Sequence, residues 1–324
     1  MGKILCNRCL RLAFNEASYS LAPMKHPTLR SLALLFATTC LTSSIFAQGP
    51  LIQRLRERIA ERKGSVDAVE LSYGKDPLQK LDYWKPTKAG SPLVIFVHGG
   101  GWKRGDKKNA TGEEKPGHYL QQGYAFASIN YRLVPAATVE QQAQDVADAI
   151  AHLIGRAESL GFDSSRIVLM GHSAGAHLSA LVGTDMKYLK QAELGPKSLR
   201  GVIPLDGACY DVPHQIADGG DFMHDTYVQA FGTEKERQLA LSPTAQAAAP
   251  NVPAFLILHV QRADGTAQSR ALGEALQKAG TPAEVRGFDG AGLRGHAEIN
   301  RRLGDPAYAA TPVVDDWLER VFAK

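Results

Sequence analysis

The chain has 324 residues, 44% of them hydrophobic and 22% charged, enough for one large domain or two small ones. Its formal net charge of +4 arises in the first 47 residues, where Lys3, Arg8, Arg11, Lys25 and Arg30 stand against Glu16 alone. The remainder carries as many acidic as basic residues, so composition gives no footing for a nucleic-acid or anionic-membrane partner.

The first feature in chain order is a targeting segment. A basic start at Met24–Arg30, an apolar centre at Leu32–Ala37 and small residues up to Ala47 form the pattern of a secretory signal peptide. The expectation is translation from Met24, cleavage after Ala47 and export to the periplasm or the medium. Residues 1–47 then form an upstream extension and signal, and 48–324 the folded domain. The apolar run is too short, and too rich in Thr and Ser, for a membrane span. No stable membrane association is expected once it is removed. Of the cysteines Cys6, Cys9, Cys40 and Cys209, only Cys209 survives cleavage, which excludes an internal disulfide. Cys6 and Cys9 have metal spacing but supply half a zinc site.

Leu51, Ile52, Leu55 and Ile59 have helical spacing and predict a helix over 51–63. Val66–Tyr73 and Gln79–Trp84 read as a first pair of strands. Leu93–Val97 is a continuous apolar run of strand length, which suggests a strand buried on both faces. Ala125–Tyr131, Ile167–Met170, Val202–Leu205, Ala254–His259 and Ala283–Phe288 are further strands. Helical stretches are predicted over 113–122, 138–160, 174–184, 266–279 and Thr311–Phe322. Strands alternating with helices imply right-handed crossovers and a mostly parallel sheet covered on both faces. The stretch of about 208–249 breaks the rhythm and is read as a modest cap inserted over the carboxyl edge of the sheet, where open α/β sheets hold ligands.

Two motifs carry chemistry. Gly171-His172-Ser173-Ala174-Gly175 follows the buried run Ile167–Met170 and opens a helix, the context of a nucleophile elbow. Such a turn tolerates only small neighbours, lifts Ser173 above the sheet and leaves the Ala174 N–H free for an oxyanion. His98-Gly99-Gly100-Gly101-Trp102 follows the strand Leu93–Val97. Consecutive glycines let backbone N–H groups approach a substrate without a Cβ in the way, and such donors stabilise charge developing on a carbonyl oxygen. The spacing of a phosphate loop is absent.

These motifs, in this order and on these strands, resemble the α/β-hydrolase superfamily. The likeness is greatest to hormone-sensitive-lipase-like carboxylesterases and to the feruloyl-esterase and kynurenine-formamidase-like branch. Asn130-Tyr131-Arg132-Leu133-x-Pro135, Asp163-x-x-Arg166 and His296-x-x-Ile299-Asn300 extend it over about 65–322. The resemblance implies an α/β-hydrolase fold, with an oxyanion hole of Gly100, Gly101 and Ala174. It implies hydrolysis of a small-molecule carboxylic ester, of a short acyl chain or an aromatic acid, with no metal or organic cofactor. An amide or N-formyl hydrolase of arylformamidase type is the alternative, and an inactive binding protein on the same fold is a third reading.

Ten histidines compete for the role of base. His296, in a glycine-rich stretch after the last strand, fits the chain order Ser, acid, His. For the acid the expectation is Asp264, the first carboxylate beyond Ala254–His259. Asp289, seven residues before His296, and Asp206, after the preceding strand, are the competitors.

Overall fold

The computed structural model describes residues 68–218 and 220–324. The signal segment, the expected helix over 51–63 and the start of the first expected strand lie outside them. The strands are β1 (Val69–Ser72), β2 (Lys80–Trp84), β3 (Ser91–Val97), β4 (Ala125–Ile129), β5 (Phe162–His172), β6 (Gly201–Leu205), β7 (Phe255–Gln261) and β8 (Ala283–Ala291). They form one eight-stranded sheet in the order β1-β2-β4-β3-β5-β6-β7-β8. β2 runs antiparallel to β1 and β4, and all the other pairings are parallel.

The continuous apolar runs have a direct explanation. Every residue of β3, β4 and β6 is buried, because helices cover both faces. Alternate side chains feed two separate cores. Leu93, Ile95, Val97, Ile167 and Leu169 face the helices α2 (Val139–Ile154), α4 (Ala174–Thr184) and α10 (Ala263–Lys278). Val94, Phe96, Val168, Met170 and Ile203 face α1 (Glu114–Gln121), α11 (Gly292–Arg302) and α12 (Ala310–Phe322).

Local chemistry sets the helix ends. Thr138 caps α2 through a reciprocal box: its Oγ1 accepts from Gln141 N–H at 3.3 Å, and Gln141 Oε1 accepts from Thr138 N–H at 2.9 Å. The single helix expected over 138–160 divides at Gly155 into α2 and the short α3 (Ala157–Leu160). α5 (Met186–Gln191) follows α4. The insertion after β6 consists of four helices, α6 (Val212–Asp218), α7 (Gly220–Phe231), α8 (Lys235–Ala240) and α9 (Pro243–Gln246).

Candidate active site

The functional groups gather beyond the carboxyl ends of β3, β5, β6 and β8. β5 ends in a turn so sharp that Ser173 adopts a φ of 56°, a left-handed conformation that costs a side-chain-bearing residue energy. The surroundings enforce it. A Cβ on Gly171 would run into the Gly175 carbonyl, and one on Gly175 would run into the Val97 carbonyl. Ser173 therefore stands at the head of α4, where the first helical N–H groups lack a preceding turn to bond.

His296 Nε2 lies 3.0 Å from Ser173 Oγ, and His296 Nδ1 donates to Asp206 Oδ2 at 2.6 Å. A nucleophile, a base and an acid thus form one continuous hydrogen-bonded line. Asp206 is the first residue past β6 and is fully buried, with a φ of 44° that turns its carboxylate back across the sheet edge. Its Oδ1 accepts from Val260 N–H at 3.1 Å. Burial opposes ionisation of Asp206, but the bond to His296 and the nearby Arg262 charge outweigh it and hold the carboxyl below its ordinary range.

The glycine loop after β3 faces the same point. Gly100 has a φ of 132° and Gly101 one of 60°, and the Gly100 carbonyl accepts from Arg104 N–H at 3.2 Å. A Cβ on Gly99 would come within 2.9 Å of Ser173 Cβ. Only glycine lets this backbone approach the nucleophile so closely.

Residues 81–217 match the family model described as BD-FAE. Esterase LipC of Mycobacterium tuberculosis is 34% identical over 205 residues, covering 59% of this chain and 49% of that protein. The kynurenine formamidase of Danio rerio is 30% identical over 157 residues, covering 47% and 50%. The chain spans about half the length of such curated relatives. Among solved structures, esterase B from Lactobacillus rhamnosis superposes with a TM-score of 0.64 at 20% identity, covering 87% of this chain and 96% of that one. The chain has the α/β-hydrolase fold.

Within this fold the structure brings Ser173 and His296 together, with Ala174 next in the chain and the loop that carries Gly100 and Gly101 beside them through Gly99, but it does not bring Asp264 there. The expected acid is corrected to Asp206. β7 continues to Gln261, two residues past its expected end, and α10 begins at Ala263. Asp264 is therefore carried into the first turn of a helix, where a carboxylate complements the positive end of the helix dipole. There it meets Gln215 Nε2 at 3.4 Å and Arg262 Nη1 at 3.5 Å. Asp289 is exposed on β8 and accepts from Gln261 Nε2 at 3.1 Å. His296 belongs to the first turn and a half of α11 rather than to a loop.

The remaining motif residues build the scaffold. His172 Nε2 donates to the His296 carbonyl at 2.9 Å. Burial, aided by the neighbouring His296, pushes the His172 imidazole well below its usual range. Tyr131 Oη donates to the His98 carbonyl at 2.9 Å and its ring stacks on the His98 ring with centroids 4.4 Å apart. Sequence reasoning left two partners unused. Trp102 Nε1 donates to His177 Nδ1 at 3.3 Å, while His177 Nε2 donates to the Leu241 carbonyl at 2.9 Å. Phe231 of α7 packs edge-on against Trp102 with centroids 4.8 Å apart. The glycine loop and the inserted helices thus share one aromatic anchor.

Proposed function

We propose that this protein is a serine hydrolase that cleaves carboxylic esters of small acyl groups through an acyl-enzyme. The observation that carries the reading is the line Ser173–His296–Asp206, at 3.0 and 2.6 Å. His296 takes the Ser173 proton as Oγ attacks the ester carbonyl, and Asp206 holds the imidazole tautomer and stabilises the imidazolium. The N–H groups of Gly100, Gly101 and Ala174 receive the tetrahedral oxyanion. His296 returns the proton to the leaving alkoxide, and water then repeats the sequence on the acyl-enzyme. Thr226 of α7 packs against the glycine loop, its Cγ2 lying 3.1 Å from where a Cβ on Gly101 would stand. This favours short acyl chains.

The test is a fluorophosphonate probe together with a series of nitrophenyl esters. The wild-type protein is expected to be labelled at Ser173 and to turn over acetate and butyrate esters, and Ser173→Ala to do neither. Similarity to kynurenine formamidases favours a second reading, N-formyl amide hydrolysis by the same residues. A formamide turned over with higher kcat/KM than any ester would select it. Export after cleavage at Ala47 is part of the proposal, on the strength of the basic and apolar pattern of 24–47. N-terminal sequencing of protein recovered from the periplasm or medium should begin at Gln48, and an N-terminus at Met24 would refute it.

A further inference from the structure

A guanidinium stands against the carboxylate that holds His296. Arg262 is the single residue between β7 and α10. Its side chain is 12% exposed, and its Nε lies 3.0 Å from Asp206 Oδ2, the same oxygen that receives His296 Nδ1. Its Nη2 donates to the Gly207 carbonyl at 3.3 Å. The start of α10 is shaped around it, because a Cβ on Gly265 would lie 2.9 Å from Arg262 Nη2 and 3.2 Å from Asp206 Oδ1.

We propose, resting on the serine-hydrolase reading, that Arg262 is a positioning residue that shares the Asp206 carboxylate with His296. Through its charge alone, at 3.0 Å and without a hydrogen bond, it weakens the hold of the carboxylate on the imidazolium. His296 then remains able to accept the Ser173 proton at a lower pH than an unshared carboxylate would allow. The physical basis is that a guanidinium keeps its charge throughout the working range of enzymes. At this separation, in a partly buried site, one positive charge disfavours another.

The other groups facing this cluster do not reproduce the effect. Burial disfavours the charged forms of His172 on β5 and Lys115 on α1. It likewise raises Tyr210, Tyr227 and Tyr308, which stay neutral. Glu298 and Arg294 on α11 pair with each other at 3.3 Å. Asp264 meets the guanidinium at Nη1, away from the Nε that faces Asp206.

The experiment compares kcat/KM against pH for wild type, Arg262→Met and Arg262→Lys with a nitrophenyl acetate. In Arg262→Met the acid limb should move up by about one pH unit, with a several-fold loss of kcat. Arg262→Lys, which keeps the charge, should restore most of the limb's position. A folded Arg262→Met with an unmoved acid limb would overturn the proposal, since a merely structural role lowers kcat without moving the limb. If that variant fails to fold, Arg262→Gln serves, and an NMR titration of the His296 ring in Ser173→Ala protein reads the same displacement without turnover. Fluorophosphonate labelling separates the two possible failures. Unlabelled wild type defeats the hydrolase reading itself, whereas labelled wild type with an unmoved limb defeats only the role of Arg262.

Discussion

The buried Asp206 carboxylate accepts from His296, accepts from a backbone N–H and faces a guanidinium, so its replacement acts on chemistry more than on shape. Asp206→Asn keeps the volume but lets an amide N–H face His296 Nδ1, which inverts the imidazole tautomer. A loss of about 10⁴ in kcat is expected, the scale seen when a triad acid becomes its amide. Asp264→Asn should change kcat by less than tenfold, because Asp264 touches Gln215 and Arg262 but not His296. Steady-state kinetics of the two variants decides, and the reverse ranking would restore Asp264. The sequence did contain a signal for Asp206: an acidic residue directly after a run as apolar as Val202–Leu205 must be satisfied by something specific. Read alone, it could not be distinguished from Asp264, since the choice depends on which strand stands beside the nucleophile.

Strands and long helices were legible where a single periodicity dominates. β3, β4 and β6 show uninterrupted burial, and α4 begins at the elbow, where glycine and alanine leave no other reading. The connections were harder. β7 ends at the polar Gln261, past the apolar run that marked it, and that shift of two residues moved Asp264 from a loop into a helix. The glycines of 290–295 read as loop, yet α11 starts among them because packing against β7 and β8 overrides poor propensity. The helices of the insertion are short and mixed in polarity, so nothing in their spacing announces the contact that holds them. That contact is Phe231 on Trp102 and His177. Phe231 is fully buried, and Phe231→Ala should cost about 3–5 kcal/mol of stability. Urea unfolding measures it, and a loss below 1 kcal/mol would show that α7 is held elsewhere.

The whole molecule should be sensitive to acid. Burial lowers His98, His172 and His177, and brings His177 down to about 4. The unfolded chain takes up these protons as pH falls through 6.5, while the folded chain does not, so stability is full above that value and declines below it. His177 alone should remove about 3 kcal/mol by pH 4. The melting midpoint should therefore drop steadily between pH 6.5 and 4, and His177→Asn should flatten that slope. An unchanged slope would mean that other groups set it. The topology carries a further consequence. Ser173 N–H donates to the Leu205 carbonyl at 3.1 Å and Asp206 N–H to the Leu258 carbonyl at 2.7 Å, so nucleophile and acid are stitched into the middle of the sheet. His296 instead rides on α11, which leans on β7 and on β8, a half-exposed border strand with a single neighbour. Border strands fray first. Warming would peel the base away while the other two members kept their places, so the protein would fall silent before it melts and recover its voice on cooling.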